Sequence, residues 1–185
     1  MLIVQLVKQL NLLVKKLNSD PNYYNEIASS YNELHGEEQL KKAKIILNEV
    51  LKHKTEGILL DVGGGTGIST ELFTDNFECI LIDPSESLIE QGPANIEKIL
   101  GEAEELPFSD EKFDVIISIT SLHHTDLKQA IEEIARVTKQ DSTIAISFLK
   151  KSCKLEEFRK LFKENFINTI EIEEEKDIIF LNKKL

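Results

Sequence analysis

The 185-residue chain carries 33 Asp and Glu against 22 Lys and Arg, a formal charge of −11, and so lacks the positive surface needed to grip a phosphate backbone unaided. With 41% hydrophobic and 30% charged residues it reads as one folded domain with at most a small appendage, not a disordered chain. Its two cysteines, Cys79 and Cys153, form no close-spaced pair; neither a disulfide framework nor a zinc site is expected, no metal is called for, and a reducing cytoplasm is the expected compartment.

The opening stretch, "MLIVQLVKQLNLLVKKL", has apolar runs far too short to span a membrane and no basic region ahead of them, so neither a span nor a signal peptide is expected. Ile3, Leu6, Leu10, Leu13 and Leu17 follow 3-4-3-4 spacing, one apolar stripe on a helix that packs on the domain or on a twin subunit. Lys8, Lys15 and Lys16 leave a membrane-surface helix as the alternative. "NSDPN" (18–22) is a breaker cluster and hinge. A second helical region follows over 23–51, with Ala43, Ile46, Leu47, Val50 and Leu51 at helical spacing, and Gly36 is expected to divide it.

From residue 57 the pattern alternates. "GILLDV" (57–62), "ECILID" (78–83), "IEKIL" (96–100), "FDVIISI" (113–119) and "STIAISF" (142–148) read as strands whose continuous apolar runs predict cover on both faces. Helices are predicted over 66–74, 85–91, 126–138 and 154–165, the third capped by Asp126 with Gln129 three positions on. The terminal "INTIEIEEEKDIIFLNKK" reads as a hairpin on the sheet edge. The expected fold is α/β: a doubly wound, mostly parallel seven-stranded sheet of order 3-2-1-4-5-7-6, the last strand antiparallel, behind an N-terminal helical segment. The expected division is a helical cap over 1–50 and the α/β domain over 51–185. Residues 101–112 hold no helix, and twelve extended residues reach at most ~40 Å, enough to cross three strand spacings of ~4.8 Å.

In such a sheet ligands bind beyond the carboxyl ends of the strands, where the strand order reverses. There the chain reads "LLDVGGGTGIST" (59–70), four glycines within five positions after Asp61. Glycine weakens any regular element, so the run predicts backbone in close approach to a ligand, with loop N–H groups and the first turn of the next helix as an anion-friendly cradle. Asp83 ends strand two, 22 residues after Asp61, placed to accept bonds from both hydroxyls of a ribose. A dinucleotide fingerprint needs G-x-G-x-x-G/A; counted from Gly63 the sixth position is Ile68, so a nicotinamide-dependent oxidoreductase is disfavoured.

"LLDVGGGTGIST", "LIDPSESLIEQG", "GEAEELPFSDEKFDVI" and "SITSLHHTDLKQAIEEIARVTK", in that order, resemble the successive motifs of class I S-adenosylmethionine-dependent methyltransferases, most of all the subgroup that includes the ubiquinone/menaquinone-biosynthesis type. "YYNEIASSYNELHG" (23–36) resembles that subgroup's N-terminal segment. The resemblance covers roughly residues 23–150 and implies a Rossmann-like domain that binds S-adenosyl-L-methionine and releases S-adenosyl-L-homocysteine. It implies that Gly63, Gly64, Gly65 and Gly67 bring backbone against the methionine part, which Asp61 orients directly or through water. Asp83, with Pro84 beside it, would hold the ribose. Glu102 would lie near the adenine amino group, the Ala103 N–H would address the ring, and Leu106 would pack nearby. Tyr31 would close over the cofactor, and Ile119 and Thr120 would line the methyl-transfer end. Relatives usually carry a "KPGG" turn where this chain has "KQDS" (139–142), and many have an insertion over the substrate that this chain lacks.

Methyl transfer is an in-line displacement in which positioning and exclusion of water do much of the work. Where the acceptor must lose a proton, His123 and His124 are the candidate bases; His35 is a weaker one, and Tyr23 and Tyr24 are candidates for a lid. The absence of an Asn/Asp-Pro-Pro-Tyr/Phe motif after strand four disfavours amide and nucleobase nitrogen acceptors, and two scattered cysteines disfavour a metalloid. A small-molecule acceptor is the first expectation. The alternatives are a macromolecular acceptor, tRNA or protein, reached with a small partner chain, and a cofactor-binding scaffold without turnover; the N-terminal stripe would also serve a homodimer.

Overall fold

The computed structural model describes residues 24–25 and 28–182. The helix expected over the first seventeen residues, the hinge expected at "NSDPN" and Tyr23 lie outside the described residues. After a short 3-10 turn, Ala28–Ser30, the chain forms α1, Tyr31–Val50. It continues through β1 (Ile58–Val62), β2 (Glu78–Asp83), α2 (Glu86–Ile89), β3 (Glu97–Leu100) and β4 (Phe113–Ile119). Then come α3 (Leu127–Val137), β5 (Thr138–Leu149), α4 (Leu155–Asn165), β6 (Thr169–Glu173) and β7 (Asp177–Asn182). The sheet order is β3-β2-β1-β4-β5-β7-β6, with β7 antiparallel to both neighbours and the other pairings parallel. This is the expected topology, terminal edge hairpin included.

The apolar strand runs have a simple cause. Alternate residues of a strand face opposite sides, and here both sides are covered. Leu60, Val62, Ile80, Ile82, Ile116 and Ile144 join one buried cluster with α3 and α4. Leu59, Leu81, Val115, Ile117 and Ala145 join a second with Ala43, Ile46 and Val50 of α1. Helix α3 begins at Asp126, whose Oδ1 accepts the N–H groups of Lys128 and Gln129 at 3.1 Å each, as the sequence predicted. Its Arg136 staples the helix-free crossover: the guanidinium donates to the carbonyls of Leu106 (2.9 Å) and Phe108 (2.7 Å) and pairs with Glu133 and Asp110.

Three elements differ from expectation. Gly36 does not divide α1; it is buried within one continuous helix, and a Cβ there would sit 3.1 Å from Ile68 Cδ1. The glycine serves helix-to-loop packing. The helix expected over 66–74 is only a 3-10 turn, Thr70–Phe73, because the left-handed residues 63, 65 and 67 wind the preceding chain into turns. Residues 139–141, left between the expected helix and the expected strand, belong to β5, which starts directly after α3. A register shift between Phe113 and Val115 admits the extra residues, and Lys139 pairs with Asp114 at 2.8 Å.

Candidate cofactor and acceptor site

Strand β1 delivers Asp61 to its carboxyl end, and the chain then turns through glycines with φ of +74° at 63, +55° at 65 and +73° at 67, a region favourable only to glycine. A Cβ on Gly63 would lie 2.2 Å from Ser121 Oγ, which is itself held by the Val62 carbonyl at 2.9 Å. Gly63→Ala is therefore expected to cost at least about 2 kcal/mol, from overpacking plus backbone strain; urea melts of the two proteins check it.

The loop's N–H groups do not form the expected open cradle. Those of Gly63 and Gly64 donate to the Ile82 carbonyl, that of Gly67 to the Gly64 carbonyl, and that of Gly65 to Asp83 Oδ2 at 2.9 Å. With only a 3-10 turn behind the loop, there is no helix N-terminus there either. The glycines instead let β1 and β2 end side by side with both aspartates at the same rim. Asp83 also accepts the Ser85 N–H through Oδ1 at 2.9 Å. A carboxylate has about four acceptor positions, so one on each oxygen remains. Burial raises its pKa, and the Ser85 and Gly65 N–H bonds oppose that rise.

A cavity of about 520 Å³ opens at these strand ends, within the ~300–1,000 Å³ usual for small-molecule sites. Gly63, Gly65, Asp83 and Pro84 form one wall. Glu102 and Ala103 form another, in the crossover tied back by the Gly101 N–H to the Asp83 carbonyl at 3.2 Å. Ile119 and Thr120 line it after β4, and Tyr31 of α1 faces it together with Tyr24. Burial, then the nearby Tyr24 and Asp83, push the Tyr31 phenol well above its ordinary pKa, so it stays a neutral hydrogen-bonding group.

His123 and His124 also line the cavity, ring centroids 3.8 Å apart. His124 Nε2 is 2.9 Å from the Tyr24 hydroxyl. Burial, with help from His124, Lys154 and Lys42, drives His123 down to about 3, whereas His124 is lowered by burial and by Lys154. Asp61 and Gly64 lie behind this space, at a second cavity of about 10 Å³, the room of a single water. Asp61 Oδ2 accepts the Thr70 hydroxyl at 2.6 Å, and Oδ1 has no protein partner among the described residues. Burial raises its pKa to about 7, with the Thr70 bond opposing and Asp83 adding to the rise. Gly67 and Leu106 line neither space: Gly67 sits under Leu81 and Pro93, and Leu106 belongs to the core, its N–H donated to Glu133 at 2.8 Å.

Two lysines escaped the sequence reading. Lys154 lines the large cavity. Lys42 is fully buried beneath it, 2.8 Å from Thr120 Oγ1, 3.1 Å from Asp177 and 2.7 Å from Glu38. Its neighbours in sequence, Lys41 and Lys44, make the stretch look like a solvated helix face.

Residues 60–146 match the family model described as a methyltransferase domain. Over that stretch the chain is similar to class I S-adenosylmethionine-dependent methyltransferases. The matched stretch runs from β1 into β5 and contains the glycine loop, Asp83, Glu102 and the histidine pair. The chain is 36% identical over 98 residues, 48% of its length and 39% of the relative's, to the uncharacterized methyltransferase YcgJ of Bacillus subtilis. The crystal structure of YcgJ superposes with a TM-score of 0.64 at 22% identity, covering 72% of this chain and 70% of that one. A demethylmenaquinone methyltransferase of Corynebacterium glutamicum is 30% identical over 92 residues, 48% of this chain and 40% of its own. The phosphoethanolamine N-methyltransferase 2 of Haemonchus contortus, solved with phosphomonomethylethanolamine and S-adenosylhomocysteine, shares the fold at TM-score 0.68 and 19% identity, over 82% of this chain and 44% of that one. The chain spans well under half the length of these two curated relatives. Among the described residues no helix is long and apolar enough to cross a membrane.

Proposed function

We propose that the protein transfers a methyl group from S-adenosylmethionine to a small-molecule acceptor. The observation that carries this is the placement of Asp83: a buried carboxylate, fixed by two backbone N–H groups, whose spare acceptor positions face a cavity of about 520 Å³. The two hydroxyls of a ribose fit that pair. Glu102 and Ala103 beside it would receive the adenine. The partnerless Oδ1 of Asp61 beside a water-sized cavity suits a cationic ammonium reached through one water. Bound there, the cofactor supplies an electrophilic methyl on a sulfonium.

The chain's own contribution is positioning and exclusion of water. Thr120 holds the floor after β4, and Tyr31 and Tyr24 roof the cavity, which favours a small acceptor over a macromolecular one. Where the acceptor carries an acidic proton, His124 is the better base. Both imidazoles are neutral at pH 7, but one driven down to about 3 holds a proton too weakly for efficient transfer. His124 is lowered too, and its Nε2 shares the Tyr24 hydroxyl.

Calorimetric titration with S-adenosylmethionine, S-adenosylhomocysteine and NADH tests this reading. Micromolar binding of the first two and none of NADH is expected. Asp83→Ala should weaken binding at least 100-fold, since two hydrogen bonds to a charged group contribute about 1.5–3 kcal/mol each. Circular dichroism verifies that the variant is folded. Methyl incorporation from labelled cofactor into a metabolite extract supports the small-molecule reading. Incorporation into RNA or protein instead would favour a macromolecular acceptor, and binding without any transfer would favour a scaffold.

A further inference from the structure

The β4 side of the cavity is chemically unlike the Asp83 side. Past Thr120 the wall is built from His123, His124 and Thr125, with Lys154 reaching across from the start of α4. Lys154 Nζ donates to the Thr125 carbonyl at 2.7 Å, and its own N–H is tied to Ser152 Oγ at 3.2 Å. One of its three donors is thus used to hold it against the loop that carries the histidines.

No carboxylate lies within 4 Å of Lys154 Nζ among the described residues, although Glu104 lines the same cavity. Glu104 spends Oε1 on the Asp126 N–H at 2.8 Å. In a chain with 33 acids to 22 Lys and Arg, a lysine facing a binding cavity without a carboxylate is a selective arrangement. We propose that the methyl acceptor carries an oxyanion, carboxylate or phosphate, and that Lys154 is the specificity-determining residue that seats it. This rests on the reading of the cavity as a methyltransferase site. Lys154 has two donors left for the anion. The imidazoles beside it are uncharged, so they add hydrogen-bonding capacity without repelling the lysine.

The test uses the full chain saturated with S-adenosylhomocysteine at constant ionic strength. Benzoate, phenyl phosphate and inorganic phosphate are titrated in turn, with benzamide and benzyl alcohol as neutral counterparts. Binding is followed through the Thr125 amide and the imidazole resonances of His123 and His124. The expected result is saturable binding of at least one anion, at least tenfold tighter than its neutral counterpart. Lys154→Met should weaken it at least tenfold, Lys154→Arg should retain it, and Lys151→Met, an exposed neighbour outside the cavity, should leave it unchanged. S-adenosylhomocysteine affinity should stay constant across all of them.

Equal binding of anions and neutral compounds, no anion binding at all, or an unchanged anion affinity in Lys154→Met would overturn the proposal. So would a joint loss of anion and S-adenosylhomocysteine binding in that variant, which would make Lys154 a tether of the Thr125 loop alone. Failure of the unmodified chain to bind S-adenosylhomocysteine is a different result: it would remove the methyltransferase reading first, and the proposal with it.

Discussion

Lys42→Met should destabilise the protein by about 3–5 kcal/mol, the usual cost of breaking a buried ion pair from one side. In a domain of this size that lowers the melting temperature on the order of 10 °C. Lys42 and Asp177 are both fully buried, 3.1 Å apart, one from α1 and one from the start of β7. Without the lysine, Asp177 keeps only the Thr120 hydroxyl, donated to Oδ2 at 2.6 Å, because Oδ1 has no protein partner among the described residues.

Thr120 makes the same network a functional one. It sits at φ +57°, a left-handed conformation that strains a β-branched residue by about 1–3 kcal/mol. It persists because its N–H donates to Ser147 Oγ at 2.9 Å while its hydroxyl is clamped between Asp177 and Lys42. The variant should therefore lose affinity for S-adenosylmethionine as well as stability. The double variant Lys42→Met, Asp177→Asn leaves no unpaired charge and should recover at least half of the lost stability, read from a double-mutant cycle in urea. Additive losses would mean that the pair is not coupled, and that the cost of Lys42→Met is one of packing.

This pair also shows where reading the sequence stops. The central strands β1, β2, β4 and β5 were legible because they are buried on both faces, so burial left unbroken apolar runs; the edge strands showed as shorter runs, and their order followed from the resemblance. The glycine loop was legible because positive φ leaves a residue-type signature. Lys42 and Asp177 were not, because their pairing spans 135 positions and each lies in a charged neighbourhood, "QLKKAK" and "EEEKD", which reads as a solvated face. Lys154 was hidden in the same way by Lys150 and Lys151. Gly36 and residues 66–74 misled for a different reason. Local propensity was read there as a helix break and a helix, and packing against Ile68 and the left-handed glycines decided otherwise. The cradle of free N–H groups was a further over-reading, since a glycine-rich loop announces close approach of backbone without saying to what, and here much of the approach is to β2.

Asp61→Asn should make the protein more stable and less able to bind its cofactor, and both effects should depend on pH in a fixed direction. The Asp61 carboxyl has its pKa raised to about 7 in the folded chain, chiefly by burial, against about 3.9 in an unfolded one. The folded state thus holds its proton more tightly than the unfolded state. The resulting stability is fully present below about pH 4 and is lost as pH rises through 7. Asparagine carries no such charge, so the variant should gain on the order of 2 kcal/mol over the natural protein at pH 8, with the gap closing toward pH 5; paired urea melts at the two pH values read this. For binding the sign reverses. A cationic ammonium near Oδ1 favours the carboxylate, so below pH 7 a proton must leave as the ligand arrives. Affinity for S-adenosylhomocysteine should fall up to tenfold per pH unit below 7 and level off above it. In Asp61→Asn it should be weaker at pH 8 and nearly flat from pH 5.5 to 7. A flat profile in the natural protein would place the ammonium away from Asp61. A stability gap independent of pH would mean that Asp61 is not the group titrating near 7. The two outcomes are separable because melts follow the free protein and calorimetry follows the complex. If both hold, the charge that weakens the empty fold is the one that binding requires: Asp61 is retained at the end of β1 for the ligand, at a cost to the fold.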